Sequence, residues 1–268
     1  MFSRPKKLPF GTQGAPTTAV TTVQGATVAV ERRGREVAAR IGAPFVAREG
    51  SLAQLRRRAD AEILYVAGRA RDELRSEHGQ IFVHGGMLAQ RVAQGLAHPL
   101  IRAVAPDGPR RVRRIIDATL GLAGDALLLA AVLDAEIDGF EKSPALACLL
   151  EDGLRRLRVE PESLRGGAAR RIHLEPGSAE RGLASRDLSA DVVVFDPMFD
   201  VPRRAQPNFE LLRAVAETTP LSDDTFALAK AIAPRVVLKL PRGAPAPDAL
   251  GCTRRERGKA IDYAVFER

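Results

Sequence analysis

One stretch constrains the fold more than any other. It runs Arg114-Ile115-Ile116-Asp117-Ala118-Thr119-Leu120-Gly121-Leu122-Ala123-Gly124-Asp125 and continues through Ala126 to Ala131 as an apolar helical run. A short apolar strand ends in an acid, a small-residue turn follows, and a helix begins. That order is the first strand, glycine turn and first helix of a doubly wound sheet, in which a nucleotide-like ligand lies over the strand's carboxyl end. Glycine suits such a turn because a side chain would keep the ligand away from the backbone.

The elements around this stretch alternate as an α/β sheet requires. Strands are expected at Arg114 to Asp117, Glu136 to Glu141, Arg170 to Leu174, Asp191 to Phe195 and Arg235 to Leu240. The run Val192-Val193-Val194-Phe195 is apolar throughout and reads as buried on both faces. Helices are expected from about Gly124 to Leu133, Pro144 to Leu157, Asn208 to Ala216 and Asp223 to Ala233. Leu250 to Arg254 and Ala260 to Phe266 read as a closing hairpin around the basic turn Arg255-Glu256-Arg257-Gly258-Lys259.

Upstream, residues 1–16 mix Pro, Gly, Thr and basic residues without periodicity and read as a flexible arm. Residues 17–105 read as a small α/β appendage. It has a strand at Thr18 to Val23, a helix through Val30, Val37, Ala38 and Ile41 closed by Gly42, and a helix capped by Ser51. Further strands are expected at Ile63 to Val66 and Gln80 to His84, then helices at Met87 to Leu96 and from Pro99 to Val104. Pro106 to Pro109 forms a linker, and residues 110–268 form the ligand-binding domain.

The chain has 268 residues, 45% hydrophobic and 28% charged, an ordinary globular composition. No apolar run approaches the roughly 20 residues of a membrane span. Cys148 and Cys252 form neither a disulfide framework nor a metal spacing; both read as packing thiols, in keeping with a cytoplasmic setting. No metal-ligand cluster, Walker loop or Ser-His-Asp spacing is present. His84, ahead of Gly85-Gly86, reads as a packed or capping histidine. Net charge is +8, which suits a polyanion such as RNA. Only 6 of the 41 basic residues are Lys, so a GC-rich genome explains the surplus equally well.

Two constellations carry chemistry. In the first, Asp117 ends strand one and Glu141 ends strand two, 24 residues later. An acid at the second tip accepts hydrogen bonds from both ribose hydroxyls of an adenosine ligand. Asp117 would then lie near a positive end of the ligand, which suits the sulfonium and amino groups of S-adenosylmethionine (SAM) and suits a pyrophosphate badly. The turn also lacks the full G-x-G-x-x-G, with Ala123 at a glycine position. In the second, Asp196-Pro197-Met198-Phe199 follows strand four. The arrangement resembles the Asp/Asn-Pro-Pro-Tyr/Phe element of amino methyltransferases. There a side-chain oxygen and a proline carbonyl accept the two hydrogens of an exocyclic amine, and the aromatic ring stacks its base. Positioning supplies most of the acceleration of such an in-line transfer.

The stretches IIDATLGLAGDALLLA, GFEKSPALACLLEDGL, DVVVFDPMF and RVVLKLPRGAP resemble the SAM-dependent methyltransferases related to the J-type small-subunit rRNA guanine methyltransferase. AVTTVQG, PFVAREGSL and IFVHGGMLAQRV, with Leu250-Gly251 and Tyr263, are closer to an uncharacterised Gram-positive branch. The resemblance implies a class I, Rossmann-like α/β fold with a seven-stranded, mostly parallel sheet and a reversed last strand. It implies SAM as cofactor, bound by Asp117, Thr119, Gly121, Gly124, Asp125, Glu141, Lys142, Ser178, Ala179 and Asp196. Asp196, Pro197 and Phe199 would orient and stack the base, with RNA, in the form of rRNA or the small ribosomal subunit, as the implied partner. Departures at Gly124, Ala179 and Asp200 leave the cofactor in place, while Asp200 and Val201 to Pro207 alter the expected base pocket. Three other readings stand beside this one: a small-molecule methyltransferase, a non-catalytic SAM- or RNA-binding relative, and a nicotinamide dehydrogenase.

Overall fold

The computed structural model describes residues 16–77, 79–184, 189–198, 207–216, 221–246 and 251–268. The chain divides into two compact units, Met1–Phe82 with Pro202–Ala216, and Val83–Val201 with Glu217–Arg268. This division differs from the expected appendage at residues 17–105. Residues 83–105 fall with the second unit, and a later segment of the chain falls with the first. The expected arm at 1–16 lies outside the described residues except for Pro16.

The first unit holds β1 (Thr18–Thr22), α1 (Val28–Ile41), α2 (Leu52–Arg58), β2 (Ile63–Ala67), β3 (Glu73–Arg75) and β4 (Gln80–Ile81). β1 and β2 run parallel, and β3 and β4 add antiparallel in the order β1-β2-β3-β4. Thr27 caps α1 and Gly42 ends it at φ 67°, a left-handed turn that glycine adopts without strain. Leu55 of α2 buries itself against Leu64 and Val66, worth about 1.5–3 kcal/mol for such a side chain. Asp72 is buried, accepting from Tyr65 Oη at 3.0 Å and Gly68 N at 2.9 Å and pairing with Arg33 at 2.7 Å.

The second unit opens with α3 (Leu88–Val92) and α4 (Pro99–Val104). Then come β5 (Arg114–Asp117), α5 (Gly124–Leu133), β6 (Glu136–Glu141), α6 (Pro144–Leu157), α7 (Leu164–Arg170), β7 (Ile172–Pro176), α8 (Ala179–Ala184) and β8 (Val192–Phe195). The next helix, α9 (Pro207–Val215), belongs to the first unit, where it packs on β4 and Asn208 accepts from Gln80 N at 3.0 Å. The second unit closes with α10 (Asp223–Ile232), β9 (Arg235–Pro241), β10 (Arg254–Arg257) and β11 (Ile261–Glu267).

Its sheet has seven strands in the order β10-β11-β9-β8-β5-β6-β7. β5 to β9 are parallel, and β11 runs antiparallel to both β9 and β10. Alternate residues of adjacent strands share a face. Ile116, Phe140, Val193, Phe195, Val236, Leu238 and Phe266 form one such layer, covered by Leu183 of α8 and Phe226 of α10. Parallel order puts Asp117, Glu141, Pro176 and Phe195 at the carboxyl edge of the sheet, with β8 and β5 adjacent. The order reverses direction between β5 and β8, and a crevice for a ligand opens at such a point.

Candidate active site

The turn after β5 is left-handed twice, at Gly121 (φ 56°) and at Ala123 (φ 58°). Ala123 therefore keeps the backbone shape a glycine would give, at a strain of about 1–2 kcal/mol. A methyl placed on Gly121 would meet nothing nearer than Thr119 O at 3.8 Å, so space adjoins this turn. Thr119 N donates to the Asp117 carboxylate at 3.1 Å, and Thr119 Oγ1 accepts from Asp196 N at 2.6 Å. Thr119 thus fastens the first strand tip to the fourth.

Glu141 is 7% exposed and turns toward Gly121. Its carboxylate accepts from Gly121 N at 3.0 Å and Ser143 N at 2.8 Å. Glu141 O accepts from Gly177 N at 2.8 Å, which draws the turn after β7 to the same tip. Ser178 follows there and caps α8, its Oγ accepting from Arg181 N at 3.3 Å, with Ala179 as the first helical residue. Lys142 is exposed.

The register of β8 against β9 pairs Phe195 with Leu238, so the next residues, Asp196 and Lys239, lie side by side. Lys239 Nζ donates to Asp196 Oδ2 at 2.5 Å and to Asp125 Oδ2 at 2.9 Å. Arg91 of α3 donates to Asp125 Oδ1 at 2.5 Å and to Gly124 O at 2.9 Å. Both Asp125 oxygens therefore face protein cations. Burial alone would raise the Asp125 carboxyl; Lys239 and Arg91 overcome it and hold the group well below the usual carboxylate range. Lys239 loses solvation, yet the two carboxylates push its ammonium above its ordinary value. Burial also raises Asp196, against the pull of Lys239 and with the help of Asp125. Asp117, 3% exposed, is pushed up to about 7 by burial, against the Thr119 N–H and with the charges of Asp125 and Asp196.

All of the expected cofactor residues lie on or beside these strand tips, and Asp196 and Pro197 stand at the fourth. Phe199, Asp200 and 201–206 lie outside the described residues, and so do His78 and Leu250. Pro207 begins α9 in the first unit. The expected basic turn at 255–259 is corrected: Arg254–Arg257 is strand β10, with Arg254 paired to Glu256 at 2.5 Å and Arg255 to Asp262 at 3.4 Å. Charged side chains on this edge strand make ion pairs within the unit. Cys252 is exposed, unlike buried Cys148. His84 caps the Gly85-Gly86 turn through Gly86 N at 3.0 Å. The sequence reading did not single out Lys239, Arg91 and His98. A lone Lys within Val236-Val237-Leu238-Lys239-Leu240 is the signal available for the first.

A Rossmann-like sheet with a reversed strand beside β9, an acid at the second tip and Asp-Pro after β8 defines a class I methyltransferase. The residues fit SAM: open space adjoins the Gly121 turn, the Glu141 carboxylate sits beside it, and the carboxyl groups of Asp117 and Asp196 stand at the neighbouring strand tips. Residues 53–267 match the family described as "Putative SAM-dependent methyltransferase". The chain is 32% identical over 259 residues to ribosomal RNA small subunit methyltransferase J of Chromohalobacter salexigens, covering 90% of this chain and 96% of that protein. It is 30% identical over 213 residues to the uncharacterized protein YpiP of Bacillus subtilis, covering 76% and 81% of the two chains. The SAM-dependent methyltransferase NGO1261 of Neisseria gonorrhoeae superposes with a TM-score of 0.67 at 26% identity, over 94% of this chain and 96% of that one. The chain belongs to this family: it is a SAM-dependent methyltransferase. Among the described residues no helix is long and apolar enough to cross a membrane, and no group of three or more His, Cys, Asp or Glu could hold a metal ion.

Proposed function

We propose that the enzyme methylates an exocyclic base amine of small-subunit rRNA, that of a guanine. The observation that carries this is the placement of Asp196. Its backbone N–H is tied to Thr119, one carboxylate oxygen is held by Lys239, and its side chain is 34% exposed. Asp196 Oδ1 and the Pro197 carbonyl are the acceptors we assign to the two amine hydrogens. They aim the nitrogen lone pair, and Phe199 is the ring assigned to stack the base. Methyl transfer to that nitrogen would leave the sulfur as a neutral thioether, and the proton the amine sheds would pass to water.

When bound, SAM supplies a methyl already activated by the sulfonium charge, so no strong base is demanded. Glu141 is assigned to the ribose hydroxyls. Asp117, Gly121 and Asp125 shape the methionine end, and Thr119, Gly124, Lys142, Ser178 and Ala179 complete the cofactor shell. The relatives named for small-subunit rRNA support the substrate class. So does the net charge of +8, since phosphate contacts supply much of the affinity for RNA.

The test is Asp196→Ala with labelled SAM and unmodified small-subunit rRNA. Transfer is expected to fall about 100-fold or more, the scale of a misplaced reacting group. Transfer at the wild-type rate would overturn the role given to Asp196.

A further inference from the structure

We propose that Lys239 is a positioning residue for methyl transfer: it holds Asp196 as an ionised acceptor with Oδ1 presented to the amine. This rests on the reading of Asp196 given above. Lys239 Nζ takes Oδ2 of Asp196 at 2.5 Å, which leaves the carboxylate a single orientation. The same ammonium takes Asp125 Oδ2 at 2.9 Å, and Arg91 takes Asp125 Oδ1 at 2.5 Å. Two carboxylates and two cations therefore alternate in a chain from α3 to β8, Arg91-Asp125-Lys239-Asp196. The Lys239 side chain is 18% exposed and follows the apolar run of β9, an expensive place for a charge without partners.

Each element around the chain contributes a polar group. Asp117 and Thr119 follow from β5, Tyr263 pairs with Lys239 across β11, and His98 lies at the start of α4 within 3.5 Å of Arg91. Burial lowers His98 and raises Tyr263, so both are neutral near pH 7 and neither replaces the Lys239 charge. Asp117 adds further negative character near neutral pH. Removal of Lys239 would leave Asp125 and Asp196 facing each other with Arg91 as their nearest cation. Asp196 would then hold its proton to higher pH, and a protonated carboxyl is a weaker acceptor whose O–H can turn toward the amine as a competing donor. An opposite charge at such a distance is worth about 1–3 pH units to a carboxylate.

The test compares the wild type with Lys239→Met, Lys239→Arg and Asp196→Asn, using SAM and unmodified small-subunit rRNA from pH 5 to 9. S-adenosylhomocysteine titrations and thermal unfolding are run alongside. Lys239→Met is expected to lower kcat at pH 7 by about tenfold or more, with the acid limb of the kcat profile moved up by about one pH unit or more. Lys239→Arg keeps the charge, so its limb stays at the wild-type position and part of kcat returns. A Lys239→Met enzyme whose limb coincides with the wild type's would overturn the proposal, whatever its kcat. If Lys239→Met does not fold, Lys239→Arg decides, and a displaced limb in that variant would overturn it. Asp196→Asn keeps the oxygen without the charge, so full activity in it would also overturn the proposal, whereas full activity in Asp196→Ala would sink the reading of Asp196 itself, which separates the two failures.

Discussion

Glu141→Ala removes the carboxylate that joins the first and second strand tips. Two backbone donors, Gly121 N at 3.0 Å and Ser143 N at 2.8 Å, lose an acceptor that is itself 7% exposed. A buried N–H left unpaired costs about 1–3 kcal/mol, so the pair amounts to roughly 2–6 kcal/mol. For a chain of this size each kcal/mol moves the unfolding midpoint by about 2–4 °C, so Tm is expected to fall by roughly 5–20 °C. Glu141→Gln keeps one acceptor oxygen and turns an amide donor toward the other N–H, so about half of that loss is expected. The ribose contact assigned to Glu141 is a charged hydrogen bond worth about 1.5–3 kcal/mol. S-adenosylhomocysteine affinity, read by calorimetry at a temperature where each variant is folded, should therefore drop roughly 10- to 150-fold. A Glu141→Ala protein with wild-type Tm and wild-type affinity would refute both halves of this reasoning.

Asp117 gives a pH signature. Burial puts its folded value at about 7 against an ordinary 3.8, so the folded state binds the proton more tightly than the unfolded one. The stabilisation is complete below about pH 4 and is lost as pH rises through 7, up to about 4 kcal/mol. Asp117→Asn should flatten this dependence, so the Tm difference between variant and wild type should shift in the variant's favour from pH 5 to pH 8; a difference independent of pH would contradict it. Gly182→Ala would set a methyl 2.1 Å from the Phe140 ring, which neighbours Glu141. Forcing α8 off β6 should cost about 1–3 kcal/mol and weaken S-adenosylhomocysteine binding; wild-type values in unfolding and titration would show the helix adapts freely.

Most of the second unit is legible in the chain because β5, β8 and β9 centre on short apolar runs, and an acid or a proline ends or directly follows every parallel strand. β5, α5, β6 and α6 stand where those runs and caps put them. The misses have local causes. α7 reads Leu-Arg-Gly-Gly-Ala-Ala-Arg, and its glycines look like breakers. Gly166 is there because a methyl would stand 1.8 Å from Glu160 O, a backbone approach no other residue permits. β10 looks like a turn because three of its four residues are arginines, and two of the acids that pair with Arg254 and Arg255, Glu267 and Asp262, come from the facing strand β11. β3 has three residues, too few to show alternation.

The candidate site was half legible. Asp117, Gly121, Glu141 and Asp196 are strand-tip residues, and strand tips can be counted along a chain. Lys239 and Arg91 act through register and helix packing, which no spacing records. Lys239 meets Asp196 because β8 and β9 align Phe195 with Leu238, and Arg91 meets Asp125 because α3 packs on α5.

Methyl incorporation into rRNA decides most directly between an rRNA base-amine methyltransferase and any other use of the fold. Small-subunit RNA from a strain lacking the gene is incubated with labelled SAM and the purified protein, then digested to nucleosides for mass spectrometry. Label should appear at one guanine carrying a methyl on its exocyclic nitrogen, and RNA from the parent strain should accept none. Absence of label from the deletion-strain RNA, both free and in assembling subunits, would contradict the function proposed for this enzyme.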